Sequence, residues 1–147
     1  MSLPKNVTQF KGTAGRPERD VVIGLDFGTS CTKVVLQDPP LRTSFAVPFG
    51  DKGHTGNVYL LPSRLQLYAS GRCQLAGFSE RGILGLKQRV MVNPEKPLTI
   101  GSSPQIRTDP SELASTYIGL VLQYARGWFL DRYSDEFGRN WIRWQPK

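Results

Sequence analysis

The chain has 147 residues, a length that fits one domain, and 39% of them are apolar, which is enough to form a core. No run approaches the ~18 consecutive apolar residues that a membrane-spanning helix needs. The 19 Lys and Arg exceed the 12 Asp and Glu, and the net charge of +7 favours anionic partners. The basic residues are scattered and form no stripe with interleaved aromatic side chains, so composition argues against both membrane insertion and nucleic-acid binding.

Residues 1–20 lack the continuous apolar segment of a signal peptide. We interpret them as a flexible leader on a cytoplasmic protein whose folded part is residues 21–147. The chain has two cysteines, Cys31 and Cys73, too few for a disulfide framework and without the spacing of metal ligands. Both are predicted to be free thiols.

The first predicted elements form a β-hairpin. Residues 21–26 and 32–37 are rich in β-forming side chains, and the short connection FGTSC joins them. Gly28 supplies the backbone freedom that such a turn needs. Two prolines at positions 39 and 40 end the second strand, and a third strand is predicted over residues 44–49.

The middle of the chain predicts short elements. Residues 50–57 are typical of a loop, and residues 58–69 predict a strand, a bend at Pro62 and a second strand, for which residues 71–77 supply a hairpin partner. Gly82 and Gly85 each weaken a helix by about 1 kcal/mol, so residues 79–91 predict irregular turns. Residues 93–108 predict a loop with one brief strand.

The clearest helix begins after Asp109. This residue can cap the helix, Pro110 fits the first helical position, and Glu112 can complete a reciprocal cap. Apolar residues then recur at three- and four-residue steps, namely Leu113, Tyr117, Leu120, Val121, Tyr124 and Trp128. A helix with this apolar face is expected to cover the sheet formed by the preceding strands.

Asp26 ends an apolar run and is followed at once by Phe-Gly-Thr-Ser. Burial of an unpaired carboxylate costs several kcal/mol, so we expect a compensating partner beside Asp26. A tight hairpin at this point presents backbone N–H groups and two hydroxyls, and Gly28 allows a phosphate to approach them closely. Asp26 would then hold a hydrated Mg²⁺, which prefers oxygen ligands.

The segment IGLDFGTSCTKVVL resembles the first phosphate motif of the superfamily of actin, hexokinase and heat-shock chaperone ATPases. Within that superfamily, LLPSRLQL resembles the Pro-Ser strand of DnaK-type chaperones, and GILGLKQRV is similar to their segment with a catalytic lysine. The long helix from Pro110 resembles the one that precedes the next core strand of the family. The resemblance implies an α/β fold, a partial ribonuclease H-like, actin-type ATPase lobe in which a hairpin with a phosphate turn precedes further strands and one long covering helix.

The resemblance also implies that the cofactors are ATP and Mg²⁺. Asp26 would be both a metal-binding and a catalytic residue, orienting Mg²⁺ through water. The ammonium group of Lys87 would lie against the γ-phosphate or the attacking water, where a positive charge stabilises the transferred group. The β- and γ-phosphates would contact the turn, which consists of Gly28, Thr29, Ser30 and Cys31.

The sequence departs from the chaperone pattern at position 31, where a cysteine replaces the usual polar or aromatic residue, and TSCTK is also similar to sugar kinases. The 147 residues contain no second phosphate motif, adenosine motif or second lobe. We therefore expect the opening part of a DnaK-like chaperone ATPase that is inactive alone, with nucleotide, protein clients or a missing second lobe as partners. A sugar-kinase-type phosphotransferase and a non-catalytic interaction module remain as alternatives.

Two further features have structural interpretations. His54 lies in a Gly-rich loop with no second ligand nearby in the sequence and is predicted to face solvent rather than to bind a metal. The late aromatic residues are predicted to belong to the core or to an exposed cluster that favours association, and they are Trp128, Phe129, Trp141 and Trp144.

Overall fold

The largest sheet of the protein is built around one hairpin. The computed structural model describes residues 18–101, 105–133 and 141–147. In it, β1 (Glu18–Phe27) pairs antiparallel with β2 (Cys31–Asp38), which confirms the predicted hairpin. The other edge of β2 is shared by β3 (Thr43–Ala46) and β4 (Leu61–Pro62), both antiparallel to it, and β4 lies at the end next to the β1–β2 turn. The free edge of β1 pairs in parallel with β9 (Trp141–Pro146), so the strand order is β3-β2-β1-β9.

Two small hairpins and two helices complete the described part of this mixed α/β fold. The first hairpin joins β5 (Leu65–Leu67) to β6 (Cys73–Leu75), as predicted. The second joins β7 (Leu98–Ile100) to β8 (Ile106–Thr108), where the sequence predicted one brief strand. A short 3-10 helix (Gly50–Lys52) follows β3.

Helix α1 (Leu86–Val92) occupies the end of the segment predicted to be irregular. It starts after Gly85, whose positive φ of 68° is a conformation that favours glycine. The residues before Gly85 are irregular as predicted, apart from a backbone pair between Ile83 and Leu65. Both helices are too short or too polar to cross a membrane, a statement that covers the described residues alone.

Helix α2 (Pro110–Arg132) is the long helix that the sequence predicted. The Asp109 carboxylate caps it by accepting the Glu112 backbone N–H at 2.8 Å. The reciprocal half of the predicted cap is wrong, because the Glu112 carboxylate instead accepts the Thr108 hydroxyl at 2.8 Å. The Glu112 side chain is therefore bonded to the residue before Asp109 and not to Asp109 itself.

The buried face of α2 differs from the predicted one toward its C-terminal end. Leu120, Tyr124 and Trp128 are half-buried, and Phe129 is fully buried. The buried residues of the helix recur at steps of three and four, and they are Pro110, Leu113, Ala114, Tyr117, Val121, Ala125 and Phe129. Ala114 and Ala125 complete this stripe. Because the predicted face was defined by large apolar side chains alone, it is rotated relative to the buried face.

Helix α2 covers one face of the hairpin, and the other face is open. Near the β1–β2 turn the ring of Tyr117 lies 5.5 Å from that of Phe27, and near β3 the ring of Phe129 lies 5.5 Å from that of Phe45. Alternate residues of β2 point toward the helix and are buried, beginning with Thr32. The opposite face of the same two strands carries exposed side chains.

The start of β1 is tied into the sheet by ion pairs. The Arg19 guanidinium pairs with the fully buried Asp38 carboxylate at the end of β2. Arg143 of β9 pairs with Asp20 at 2.7 Å and with Glu18 at 3.0 Å. Residues 18–20, predicted as the end of a leader, thus belong to the sheet, and the rest of that predicted leader lies outside the described residues.

Candidate functional site

The β1–β2 turn is tight and requires a glycine at its start. The Gly28 N–H donates to the Cys31 carbonyl at 3.0 Å, which leaves Thr29 and Ser30 as a two-residue loop. A Cβ atom added to Gly28 would lie closer to that carbonyl oxygen than the 3.0 Å limit that real Cβ atoms respect. Any other residue would force the turn to open.

Asp26 lies on the open face of the sheet. The alternation of β1 directs Val21 and Ile23 into the core and Asp26 away from it, directly opposite Lys33 of β2. Asp26 is exposed, so the expectation that a buried charge needs compensation at this strand end is wrong. Its carboxylate makes no hydrogen bond or ion pair with any residue that the structure describes, and both oxygens can accept ligands from solvent.

Ser63 holds the turn from its buried side. The Ser63 hydroxyl donates to the Gly28 carbonyl at 2.7 Å, and the Ser63 backbone N–H donates to the Ser30 carbonyl at 2.9 Å. Strand β4 brings Ser63 to this position, because Pro62 pairs with Cys31 at the start of β2. Ser63 is only 2% exposed, so the donor side of these two bonds is shielded from water.

The two bonds from Ser63 orient the peptide units of the turn. The carbonyl and the N–H of one trans peptide unit point in opposite directions. Since the Gly28 and Ser30 carbonyls point toward Ser63, the N–H groups of Thr29 and Cys31 point away from it. Within the described part of the chain, the N–H groups of Thr29 and Ser30 have no acceptor, so the exposed loop offers unused donors.

A buried network of hydroxyls lies behind Ser63. The Thr32 Oγ1 atom lies 3.0 Å from the Ser63 Oγ atom, and the Tyr117 hydroxyl donates to Thr32 Oγ1 at 2.9 Å. The same hydroxyl lies 3.1 Å from the Pro62 carbonyl oxygen. Burial raises the pKa of Tyr117 to about 12, so its phenol stays protonated and remains a donor at neutral pH.

Lys87 lies on a different element from the turn. It is the second residue of α1 and is half-buried. Paired backbone bonds between Leu65 and Ile83, of 2.7 and 3.2 Å, fix the chain before α1 to the segment that follows Ser63. Asp26 and residues 28–31 come together at the hairpin, and the described residues show no hydrogen bond or ion pair between Lys87 and them.

The cysteines and the histidine occupy ordinary structural positions. Cys31 and Cys73 are both free and half-buried, in agreement with the prediction. His54 is exposed, and its Nδ1 atom accepts the Gly56 N–H at 3.0 Å. Its ring packs edge-on against Phe78 at 5.0 Å.

Phe129 packs in the core, as predicted, against the half-buried Trp144 at 5.7 Å. The half-buried Trp128 packs against Tyr133 at 5.9 Å. The Trp141 side chain lies outside the described part of the structure. These contacts make the described aromatic residues part of the packing between α2 and the sheet.

The turn and Asp26 fit a phosphate that carries its own cation. No group of three or more His, Cys, Asp or Glu side chains that could hold a metal occurs among the described residues. Mg²⁺ is usually bound through one or two carboxylates together with substrate phosphates and retained water. One exposed carboxylate beside unused N–H donors matches that donor set.

Two shallow grooves lie away from the turn. A groove of about 430 Å³ lies between the start of α1 and β7, and one of about 240 Å³ lies between α1 and the start of α2. The residues that line the two grooves do not include the turn residues or Asp26, which thus lie outside both grooves.

Sequence reasoning identified Asp26 and the turn but gave Ser63 no role. Ser63 lies 35 residues from Gly28 in the chain, so no local pattern joins the two. The signal that was available is the Pro-Ser pair itself, a small polar residue directly after the apolar run of residues 60–62. Tyr117 was predicted on the apolar face of the helix because of its aromatic ring, and no hydrogen bond was predicted for its hydroxyl.

No protein-family model, curated protein or solved structure matches this chain. Its relation to known proteins therefore rests on the residues and geometry described above.

Proposed function

We propose that the chain forms part of one lobe of an actin-type ATPase, similar to the N-terminal part of a DnaK-type chaperone nucleotide-binding domain, and that the turn 28–31 binds the β- and γ-phosphates of Mg·ATP. One observation carries the proposal. At a turn that requires glycine, the N–H groups of Thr29 and Ser30 lack acceptors among the described residues, beside the exposed and unpaired carboxylate of Asp26.

The order of the strands supports the finer fold assignment. A ribonuclease H-like lobe begins with three antiparallel strands and then crosses through a helix to a strand parallel to the first. Here β1, β2 and β3 are antiparallel neighbours, and α2 precedes β9, which is parallel to β1. The phosphate turn of that fold is the β1–β2 connection, where the free donors lie.

The charges around the turn suit the proposed ligand. Backbone N–H groups that converge at a turn bind anions, because their dipoles are fixed before the ligand arrives. Asp26 would hold the hydrated Mg²⁺, whose charge neutralises the phosphates when it is bound. Lys33, directly opposite Asp26, adds a positive charge on the same exposed face.

The role of Lys87 remains part of the proposal. Its ammonium group is free of ion pairs within the described residues and can therefore be directed to an incoming anion. A lysine acts in phosphoryl transfer as a point charge that stabilises the transferred group. Lys87 is the residue of α1 to which we assign that role.

Calorimetric titration with ATP, in excess Mg²⁺ and in excess chelator, tests the proposal. The wild-type chain is expected to bind ATP only with Mg²⁺. Asp26→Asn should abolish this Mg²⁺-dependent binding while the melting temperature stays unchanged, since Asp26 is exposed and makes no bond with a described residue. Asp131→Asn is the matched control. It removes the same charge from another exposed position, 14 residues after Tyr117 on α2 and so about 20 Å along the helix.

Equal Mg²⁺-dependent binding by the wild type and Asp26→Asn would contradict the assignment of Asp26. Absence of any effect of Mg·ATP on the wild type would reject the phosphate site altogether and favour a non-catalytic interaction module.

A further inference from the structure

We infer that Ser63 is a positioning residue for the phosphate turn, held in register by a directed chain of hydroxyls that starts at Tyr117 on α2. The inference rests on the proposed function, because it explains how the donors of the turn are held ready for a phosphate. Three buried residues take part, Tyr117, Thr32 and Ser63, all at most 2% exposed. They join the helix to the turn across the core.

The direction of the chain is fixed at its end. The Gly28 carbonyl can only accept, so the 2.7 Å bond uses the single hydrogen of the Ser63 hydroxyl. The Ser63 oxygen must then accept at 3.0 Å from the Thr32 hydroxyl. Thr32 in turn accepts from Tyr117 at 2.9 Å. Ser63 and Thr32 therefore both donate toward the turn, and neither can rotate its hydroxyl without leaving a buried polar atom unpaired. The single hydrogen of Tyr117 can be donated to Thr32 Oγ1 or to the Pro62 carbonyl oxygen.

The bonds from Ser63 also set the direction of the N–H donors on the opposite side of the turn. The Ser63 hydroxyl and backbone N–H hold the Gly28 and Ser30 carbonyls, and planar peptide units then direct the Thr29 and Cys31 N–H groups away from Ser63. A tight turn without such anchors can rotate its peptide units at low cost. Fixed donors bind an anion more strongly because less conformational freedom is lost on binding.

The chain also couples α2 to the turn. Tyr117 is fully buried in a helix of 23 residues, and its hydroxyl additionally lies 3.1 Å from the Pro62 carbonyl oxygen, one residue before Ser63. A shift of the helix at Tyr117 would change two contacts that position Ser63. Through them, the orientation of the Thr29 N–H depends on the position of α2.

The experiment combines amide NMR with calorimetry on the full 147-residue chain, using Mg·ATP as the probe. Ser63→Ala removes the hydroxyl that holds Gly28, and Ser44→Ala is the control, since Ser44 is exposed on β3. Thr32→Val removes the middle hydroxyl without a change of shape, and Thr32→Ser restores it. Melting temperatures of all variants separate a loss of stability from a loss of positioning.

In the ligand-free protein, Ser63→Ala is expected to shift or broaden the amide resonances of Thr29 and Cys31 while resonances of β9 stay in place. Its Kd for Mg·ATP should rise about tenfold, equivalent to ~1.4 kcal/mol. Thr32→Val should move the same two resonances and raise the Kd by a smaller factor. Thr32→Ser and Ser44→Ala should resemble the wild type.

A folded Ser63→Ala variant with wild-type Thr29 and Cys31 resonances and an unchanged Kd would overturn the inference, and the proposed function would stand because the wild type still binds. If Ser63→Ala fails to fold, equal Kd values for Thr32→Val and Thr32→Ser overturn the inference in the same way. If the wild type does not bind Mg·ATP, the proposed function fails and the positioning role fails with it.

Discussion

Two aspartates of the first hairpin show how one residue type serves different purposes. Asp38 at the end of β2 is fully buried and pairs with the guanidinium of Arg19, so it is held by its partner and closed to ligands. Asp26, near the end of β1, is exposed and pairs with no described residue. A charged residue in a strand with no partner in the fold is available to bind a ligand, and that distinguishes Asp26 from Asp38.

Replacement of Gly28 should damage the turn more than its small size suggests. The Cβ atom of Gly28→Ala would collide with the Cys31 carbonyl, so the turn must open, at a cost of about 1–3 kcal/mol in unfolding free energy. Mg·ATP binding should be lost with it. Gly119→Ala is the control, because a Cβ there meets nothing within 4 Å and alanine favours the helix by about 0.5–1 kcal/mol. Urea denaturation and calorimetry measure both effects, and an unimpaired Gly28→Ala would contradict the turn geometry.

Tyr117 should make the fold sensitive to alkaline pH. Burial raises the pKa of Tyr117 from 10.0 to about 12 in the folded chain, whereas the phenol in the unfolded chain keeps the lower value. The folded state therefore holds the proton more tightly, and the contribution to stability is complete below pH 10 and is lost as the pH rises toward 12. By about pH 11 the loss should reach ~1 kcal/mol.

Urea denaturation from about pH 8 to 11 measures how steeply the free energy of unfolding falls with pH, and Tyr117→Phe should reduce that slope. Tyr59→Phe, which removes an exposed hydroxyl, is the control. Identical slopes for the wild type and Tyr117→Phe would show that the Tyr117 phenol is not held neutral by the fold.

At the scale of the elements, the two acidic residues of the predicted cap at the start of α2 should contribute unequally to stability. Asp109→Ala should lower the free energy of unfolding by about 1 kcal/mol, because it removes the acceptor of the Glu112 N–H. Glu112→Ala should cost less, since the one bond of its carboxylate among the described residues, to the Thr108 hydroxyl, is exposed to solvent. Chemical denaturation of both variants checks the order, and equal losses would indicate that the reciprocal cap forms after all.

The elements that the sequence predicted well are those with local signals. Alternating apolar residues and two prolines define β2, and Asp109 with Pro110 marks the start of α2. The hairpin of β7 and β8 was predicted as a single brief strand because its connection is rich in Gly, Ser and Pro, which are typical of loops. Whether a segment forms a strand depends on the strand with which it pairs, and a short sequence window around the segment does not show that pairing.

The candidate site was predictable where its residues are neighbours in the chain and not elsewhere. Asp26 and the turn 28–31 form one local motif, which the sequence shows directly. Periodicity could not tell which face of β1 would be covered, so Asp26 was expected in a buried setting. The bond from Ser63 to Gly28 spans 35 residues and the bond from Tyr117 to Thr32 spans 85, and both depend on tertiary packing.

At the scale of the whole molecule, the fold places Asp26 and Tyr117 on opposite faces of one sheet. Helix α2 covers the inner face and reaches the turn through Tyr117, while the outer face, with Asp26 and Lys33, stays open. The parallel strand β9 pairs with the other edge of β1, and the N–H of Lys147, which follows β9, donates to the Ile23 carbonyl at 2.9 Å. Ser63 and Tyr117 support the turn from the covered side, and a phosphate bound to the turn as proposed would be exposed to water.

This openness predicts weak binding and no efficient hydrolysis by the 147-residue chain. Phosphoryl transfer depends on positioning and on charges around the transferred group, and the described residues would face the proposed ligand from one side only. A few backbone donors and one carboxylate can supply about 4 kcal/mol, which corresponds to a Kd of about 1 mM. A phosphate-release assay with an Asp26→Ala control measures the rate. Mg²⁺-dependent turnover near ~1 per second that disappears in Asp26→Ala would show that the chain encloses its substrate far better than this open face suggests.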